Sequence, residues 1–242
     1  MITHEEQSKN ISVITISEIG ANHRIMLQPN QDSVSYRISG EDFVLAVSDG
    51  VGSCCNADVG SSAAVNTCVD AFTFFGNNPR AIDDTVLAQF IVDTWKNKLE
   101  NLSIDDCCTT LKAVIKFGST LKLISIGDGF IAVSSDGIRM LSPEESTAFC
   151  NETNCLCSKT RGEEIWIANF RLDTYKPYAV VCCTDGIANG LVAGTELSLV
   201  EEIEKNIAAK CLRSELEDLV VDISNYCFDD KTIGVVKYER KN

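Results

Sequence analysis

Aspartates recur in this sequence at the places where an apolar, strand-forming run meets a turn. Asp49 follows the run 43–47 within VLAVSDGVG (44–52), Asp185 ends the apolar part of VVCCTDG (180–186), and Asp128 stands in ISIGDG (124–129). Asp32 closes the loop 20–33, and Asp229-Asp230 immediately precede the last apolar run, 232–238. Carboxylates delivered by rigid elements to one rim of a sheet suit hard divalent cations such as Mg²⁺ and Mn²⁺, which prefer carboxylate and carbonyl oxygens. Converging without arginine, such acids repel one another unless a cation sits among them. Taken singly, Asp-Gly is a common turn dipeptide, Asp32 a capping acid and Asp229-Asp230 a solvated turn. Taken together, they favour a metal site.

The elements that must position these acids are legible as a pattern. Residues 11–19 alternate as a half-buried strand, and 34–38 and 43–47 flank Ser39-Gly40-Glu41-Asp42 as a hairpin. Residues 57–75 place small and apolar side chains at helical spacing, and Gly76-Asn77-Asn78-Pro79 ends that helix and starts another. The second helix, 80–99, puts Val86, Leu87, Phe90, Ile91 and Trp95 on one face, to be buried as core. Four short strands follow (109–117, 120–126, 130–134, 137–141), too close together for parallel crossovers. Residues 142–162 read as a long irregular excursion, 165–172 and 178–184 as strands, 196–209 and 214–226 as helices, and 232–238 as a final strand. Strands with paired helices grouped outside them predict an α+β four-layer sandwich: two packed antiparallel sheets with a helix pair on each outer face. No linker or repeat interrupts the chain, so residues 1–242 are expected to form one domain.

Composition narrows the function. Hydrophobic residues make up 45% of the 242 and charged residues 23%, the profile of a globular protein. With 35 Asp and Glu against 21 Lys and Arg the net charge is −14, which argues against nucleic acid as a partner. The start, MITHEEQSKN, is polar and no run reaches membrane-spanning length, so a cytoplasmic protein without a membrane partner is expected. Twelve cysteines include Cys150, Cys155 and Cys157 and the adjacent pairs Cys54-Cys55, Cys107-Cys108 and Cys182-Cys183. None has the C-x-x-C pairing of a zinc ribbon, so they read as reduced, mostly structural thiols.

The set Asn30-Gln31-Asp32-Ser33, Ser48-Asp49-Gly50-Val51-Gly52, Gly127-Asp128-Gly129, Thr184-Asp185-Gly186 and Asp229-Asp230-Lys231-Thr232 resembles the metal-dependent Ser/Thr protein phosphatases, the PPM or type 2C family, in a compact bacterial form. The resemblance runs from about Ile14 to Tyr238. It implies a binuclear Mn²⁺ or Mg²⁺ centre in which Asp49 bridges two ions, the Gly50 carbonyl ligates one, and Asp185 and Asp229 hold the other. Asp32 would position the attacking water, and Asp128 matches an acid that helps hold a weaker third ion. The implied reaction is hydrolysis of phosphoserine or phosphothreonine in a protein substrate by an activated water, opposing a Ser/Thr kinase and performed by a monomer. His23 is the candidate general acid. Three departures stand out: Gln31 replaces a Glu, Asn189 replaces an acid, and Leu27 stands where the family has a phosphate-binding Arg, leaving His23 or Arg24 to take that part. These departures carry the alternative, a weakly active or inactive member that serves as a phosphoprotein-binding regulatory module.

Overall fold

The computed structural model describes residues 1–76, 82–143, 154–173 and 176–240. The chain opens with β1 (Ile2–Ser8) and β2 (Ile11–Glu18), a short helix α1 (Ala21–Met26), then β3 (Asp32–Ser39) and β4 (Asp42–Asp49). Helices α2 (Ala57–Gly76) and α3 (Asp84–Lys98) follow. Next come β5 (Leu111–Phe117), β6 (Thr120–Ile126), β7 (Phe130–Ser135), β8 (Ile138–Leu141), β9 (Trp166–Arg171) and β10 (Tyr178–Cys183). The one-turn helix α4 (Asp185–Ala188), then α5 (Glu196–Lys205), α6 (Ala209–Ser224) and β11 (Lys231–Tyr238) complete it.

Two antiparallel sheets form, one in the order β1-β2-β11-β10-β7-β8 and the other β3-β4-β5-β6-β9. Period-two alternation along β4 divides its side chains between two cores. Phe43, Leu45 and Val47 point between the sheets, against Val114, Leu123, Val133, Val180 and Val236. Val44 and Ala46 point outward, against Ala64, Cys68, Leu87, Ile91 and Trp95 of α2 and α3. On the opposite outer face, Ile14, Ala132, Val181 and Val235 meet Val200, Ile203, Leu216 and Val220 of α5 and α6. The result is the four-layer α+β sandwich, with a helix pair outside each sheet. Small residues let α2 lie close to its sheet, and the indole of Trp95 donates to the Gly60 carbonyl at 3.1 Å, tying α3 to α2. Asp83 caps α3 by accepting from Thr85 N–H at 2.8 Å and Val86 N–H at 3.2 Å.

Several local expectations are corrected. The polar start of the chain forms β1, an edge strand whose whole length pairs with β2. Strand β2 is buried along most of its length, not half-buried, because β1 and β11 flank it and helices cover its outer face. The loop before Asp32 contains α1, and Asp32 is the first residue of β3. Val86 is 55% exposed, since α3 begins at Asp84 and its inward stripe runs through Leu87, Ala88, Ile91, Val92 and Trp95. Helix α5 stops at Lys205 and α6 starts at Ala209, so the boundary between that pair falls earlier than periodicity placed it. Within the expected excursion 142–162, residues 144–153 lie outside the described ones, and Leu156 pairs with Thr109.

Candidate metal centre

Strands β3 and β4 deliver the first two acids. Their register places Asp32 opposite Asp49 at the open end of the hairpin. The Asp49 backbone is fixed from the neighbouring strand: its N–H donates to Thr110 Oγ1 at 3.0 Å, and its carbonyl accepts from Thr110 N–H at 2.8 Å and Thr109 Oγ1 at 2.7 Å. Asp32 is buried; Thr184 Oγ1 donates to its Oδ2 at 2.7 Å, whereas Oδ1 has no hydrogen-bond donor among the described residues.

The other acids come from the six-stranded sheet. Asp185 opens α4, separated from β10 by Thr184 alone, and Asp229 stands two residues before β11. Gly186 allows these two segments to touch, because a Cβ there would run into the backbone carbonyl of Asp230. Gly50 has a comparable reason to lack a side chain: its Cβ would lie 2.5 Å from the Ala57 carbonyl oxygen at the start of α2. The constraint at Gly50 is therefore helix packing. The buried Lys231 ammonium donates to the Asp229 carbonyl at 2.6 Å, and buried Lys112 donates to Ser125 Oγ at 2.7 Å and to the Gly127 carbonyl beside Asp128.

Electrostatically, the five acids form one group. Burial first, then the charges of Asp32, Asp185 and Asp128, drives Asp49 far above the carboxylate range. Burial, followed by Asp128 and Asp229, raises Asp185 to about 6. Burial raises Asp32 to about 7 against the lowering effect of its Thr184 bond. These residues fit a divalent cation: all donors are hard oxygens, an orphaned carboxylate oxygen is buried among them, and positive charge would relieve their repulsion. As the side chains stand, no group of three or more His, Cys, Asp or Glu among the described residues is placed to hold a metal ion.

The model of the protein phosphatase 2C family matches residues 19–220. The chain belongs to that family. No curated protein matches the sequence. Among solved structures, RsbX in complex with magnesium superposes with a TM-score of 0.65 at 13% identity, covering 98% of this chain and 100% of that one. The S. agalactiae serine/threonine phosphatase gives 0.67 at 17% identity, covering 95% and 100%. The catalytic domain of the phosphatase PstP, in complex with two manganese ions, gives 0.64 at 18% identity, covering 95% and 99%. At these identities the likeness is one of fold.

In this phosphatase 2C chain the loop between β2 and β3 departs most from expectation. Arg24 pairs with Glu18 at 2.8 Å, and Leu27 is exposed at the end of α1 with φ +55°. His23 instead reaches inward, its Nδ1 2.8 Å from Asp230 Oδ2. Asp230 is a residue whose part sequence reasoning missed: its carboxylate also accepts from Gly20 N–H and Gln31 N–H, both at 2.6 Å. Its signal was present in the adjacent pair Asp229-Asp230, where only the first acid was given a role. Thr184, which holds Asp32, and the two lysines were missed as well. Buried Gln31 places its side-chain oxygen near Gly52. Asn189 donates to Asp185 Oδ2 at 3.3 Å. Among the described residues no helix is long and apolar enough to cross a membrane.

Proposed function

We propose that this chain is a metal-dependent phosphatase that hydrolyses phosphoserine and phosphothreonine in proteins, the products of a Ser/Thr kinase. The observation that carries the reading is the convergence of Asp32, Asp49, Asp128, Asp185 and Asp229 from both sheets into one electrostatic group. Asp49, the Gly50 carbonyl, Asp185 and Asp229 are the residues that would hold two Mn²⁺ or Mg²⁺ ions, with Asp128 serving a weaker third. Such ions supply a lowered water pKa and neutralise charge on phosphoryl oxygens. Family membership and the metals named for the RsbX and PstP structures support this choice.

The side chains of this chain take complementary parts. Thr184 fixes Asp32 through Oδ2, leaving Oδ1 as the acceptor for a water's proton. With its Nδ1 held by Asp230, His23 in its imidazolium form would pass the Nε2 proton to the leaving oxygen and be left as the neutral Nδ1–H tautomer. One observation favours a second reading, a phosphoprotein-binding module with little turnover: Arg24, a candidate for the phosphate-binding Arg, is committed to Glu18. The two readings separate in one assay. Turnover of a phosphothreonine peptide by the wild-type chain, in series with Mn²⁺, Mg²⁺ and Ca²⁺, is expected with the first two ions. Peptide binding without turnover in any of the three would establish the second reading.

A further inference from the structure

The spacing of the cysteines along the chain conceals an arrangement that the fold creates. Three segments meet beside the strand end that carries Asp49. Thr109 forms antiparallel bridges with Gly50 and with Leu156. Thr109 N–H donates to the Leu156 carbonyl at 3.2 Å, and Leu156 N–H donates back at 2.8 Å. Side chains alternate across such a ladder, so Cys155 and Cys157 share the face away from Leu156, and Cys108 stands opposite Cys157 on that face. The segment after Gly50 brings in a fourth thiol. Val51 N–H donates to the Cys108 carbonyl at 2.9 Å, and the Cys54 and Cys108 thiols both donate to the Asp105 carbonyl, at 3.2 and 3.3 Å. Cys108 thus has Cys54, Cys155 and Cys157 as thiol neighbours, and Cys155 has Cys54, Cys108 and Cys157.

We propose that Cys54, Cys108, Cys155 and Cys157 form a thiolate site for a soft divalent cation of the Zn²⁺ class, separate from the carboxylate centre. Four sulfurs are the complement of a structural tetrahedral zinc site, and soft thiolates select Zn²⁺ where carboxylates select Mg²⁺ or Mn²⁺. The described cysteines are free, in line with reduced and mostly structural thiols, and these four would take the further part of ligands. Burial, followed by the neighbouring thiols, pushes both Cys108 and Cys155 up, and as thiolates they repel until a cation stands among them. Binding releases their protons to solvent. As the side chains stand, no group of three or more His, Cys, Asp or Glu among the described residues is placed to hold a metal ion, so a cation at these thiols requires their side chains to reorient. A cation there would fasten the segment 154–160 to Thr109, whose hydroxyl holds the Asp49 carbonyl.

The test is a Co²⁺ titration of the fully reduced chain, followed by its absorption spectrum. The near-ultraviolet thiolate-to-cobalt charge-transfer band should saturate at one thiolate-bound Co²⁺ per chain, with the visible bands of a tetrahedral ion, and both should be removed by added Zn²⁺; Co²⁺ held by carboxylates gives no such charge-transfer band. Cys108→Ser and Cys155→Ser should each abolish the charge-transfer band. Cys211→Ser, at an exposed position on α6, and Asp185→Asn, at the carboxylate centre, should keep it. Reduced wild type without the band, a band that survives both Cys108→Ser and Cys155→Ser, or a band lost in Asp185→Asn would overturn the proposal.

Discussion

Asp32 and Asp49 oppose one another across an antiparallel strand pair, a buried and a half-buried carboxylate at the open end of one hairpin. Like charges placed directly opposite destabilise a sheet, so this pairing is a cost to the fold that a cation would offset. Burial, and for each the charge of a neighbouring acid, raises both carboxyls above the ordinary carboxylate range.

The sign of the resulting pH dependence follows from linkage. A carboxyl whose folded pKa is raised makes the folded state bind more protons than the unfolded chain, so stability falls as pH rises between the two values. For Asp32 that window runs from the ordinary carboxylate value of about 4 up to about 7. In EDTA, the melting temperature of Asp32→Asn minus that of wild type should grow as pH is raised from about 4 to about 8. A difference that is flat or shrinks over this range would contradict the account.

His23 offers a test through the leaving group. If its Nε2 supplies a proton, His23→Ala should lower kcat on a phosphothreonine peptide by about 10²-fold or more. An aryl phosphate, whose leaving oxygen departs as the anion, should lose far less. Equal losses on both substrates would assign His23 a part in holding Asp230 instead.

Gly186 is where Asp185 and Asp230 approach through backbone. Gly186→Ala forces the two segments apart, and overpacking of this kind costs about 1–3 kcal/mol. A lower urea midpoint and weaker activation by Mn²⁺ are expected together. A normal midpoint with normal Mn²⁺ dependence would show that the contact does not position the site.

Gln31 is a buried neutral amide whose backbone is tied to Asp230 and to Gly50. Gln31→Glu adds a carboxylate to an already repelling group. The variant should melt lower than wild type in EDTA and require less Mn²⁺ for half-maximal activity. Weaker Mn²⁺ activation would place residue 31 outside the reach of the ion.

The layered fold was legible because its signals are local. Apolar alternation at Phe43–Val47, the small residues of α2 and the short spacing from Leu111 to Leu141 each specify an element and its neighbours. What escaped depends on contacts between distant residues. Strand β1 is polar because it is an edge strand, and only its register on β2 shows it to be a strand. Asp230 gains its meaning from Gly20, His23 and Gln31, none of them adjacent to it in sequence. Lys112 and Lys231 sit inside strands, where a lysine reads as solvent-facing, yet both are buried to hold loop carbonyls beside the acids. Cys54, Cys108, Cys155 and Cys157 escaped for the same reason, since they lie on three segments joined through the bridges of Thr109 to Gly50 and Leu156.

The central claim is that Asp49 works through a divalent cation, and one comparison addresses it directly: hydrolysis of a phosphothreonine peptide in Mn²⁺ by wild type and by Asp49→Asn. The account predicts Mn²⁺-dependent turnover by the wild type, and its loss in a variant that melts no lower than wild type in EDTA. Undiminished Mn²⁺-dependent turnover by Asp49→Asn would contradict it.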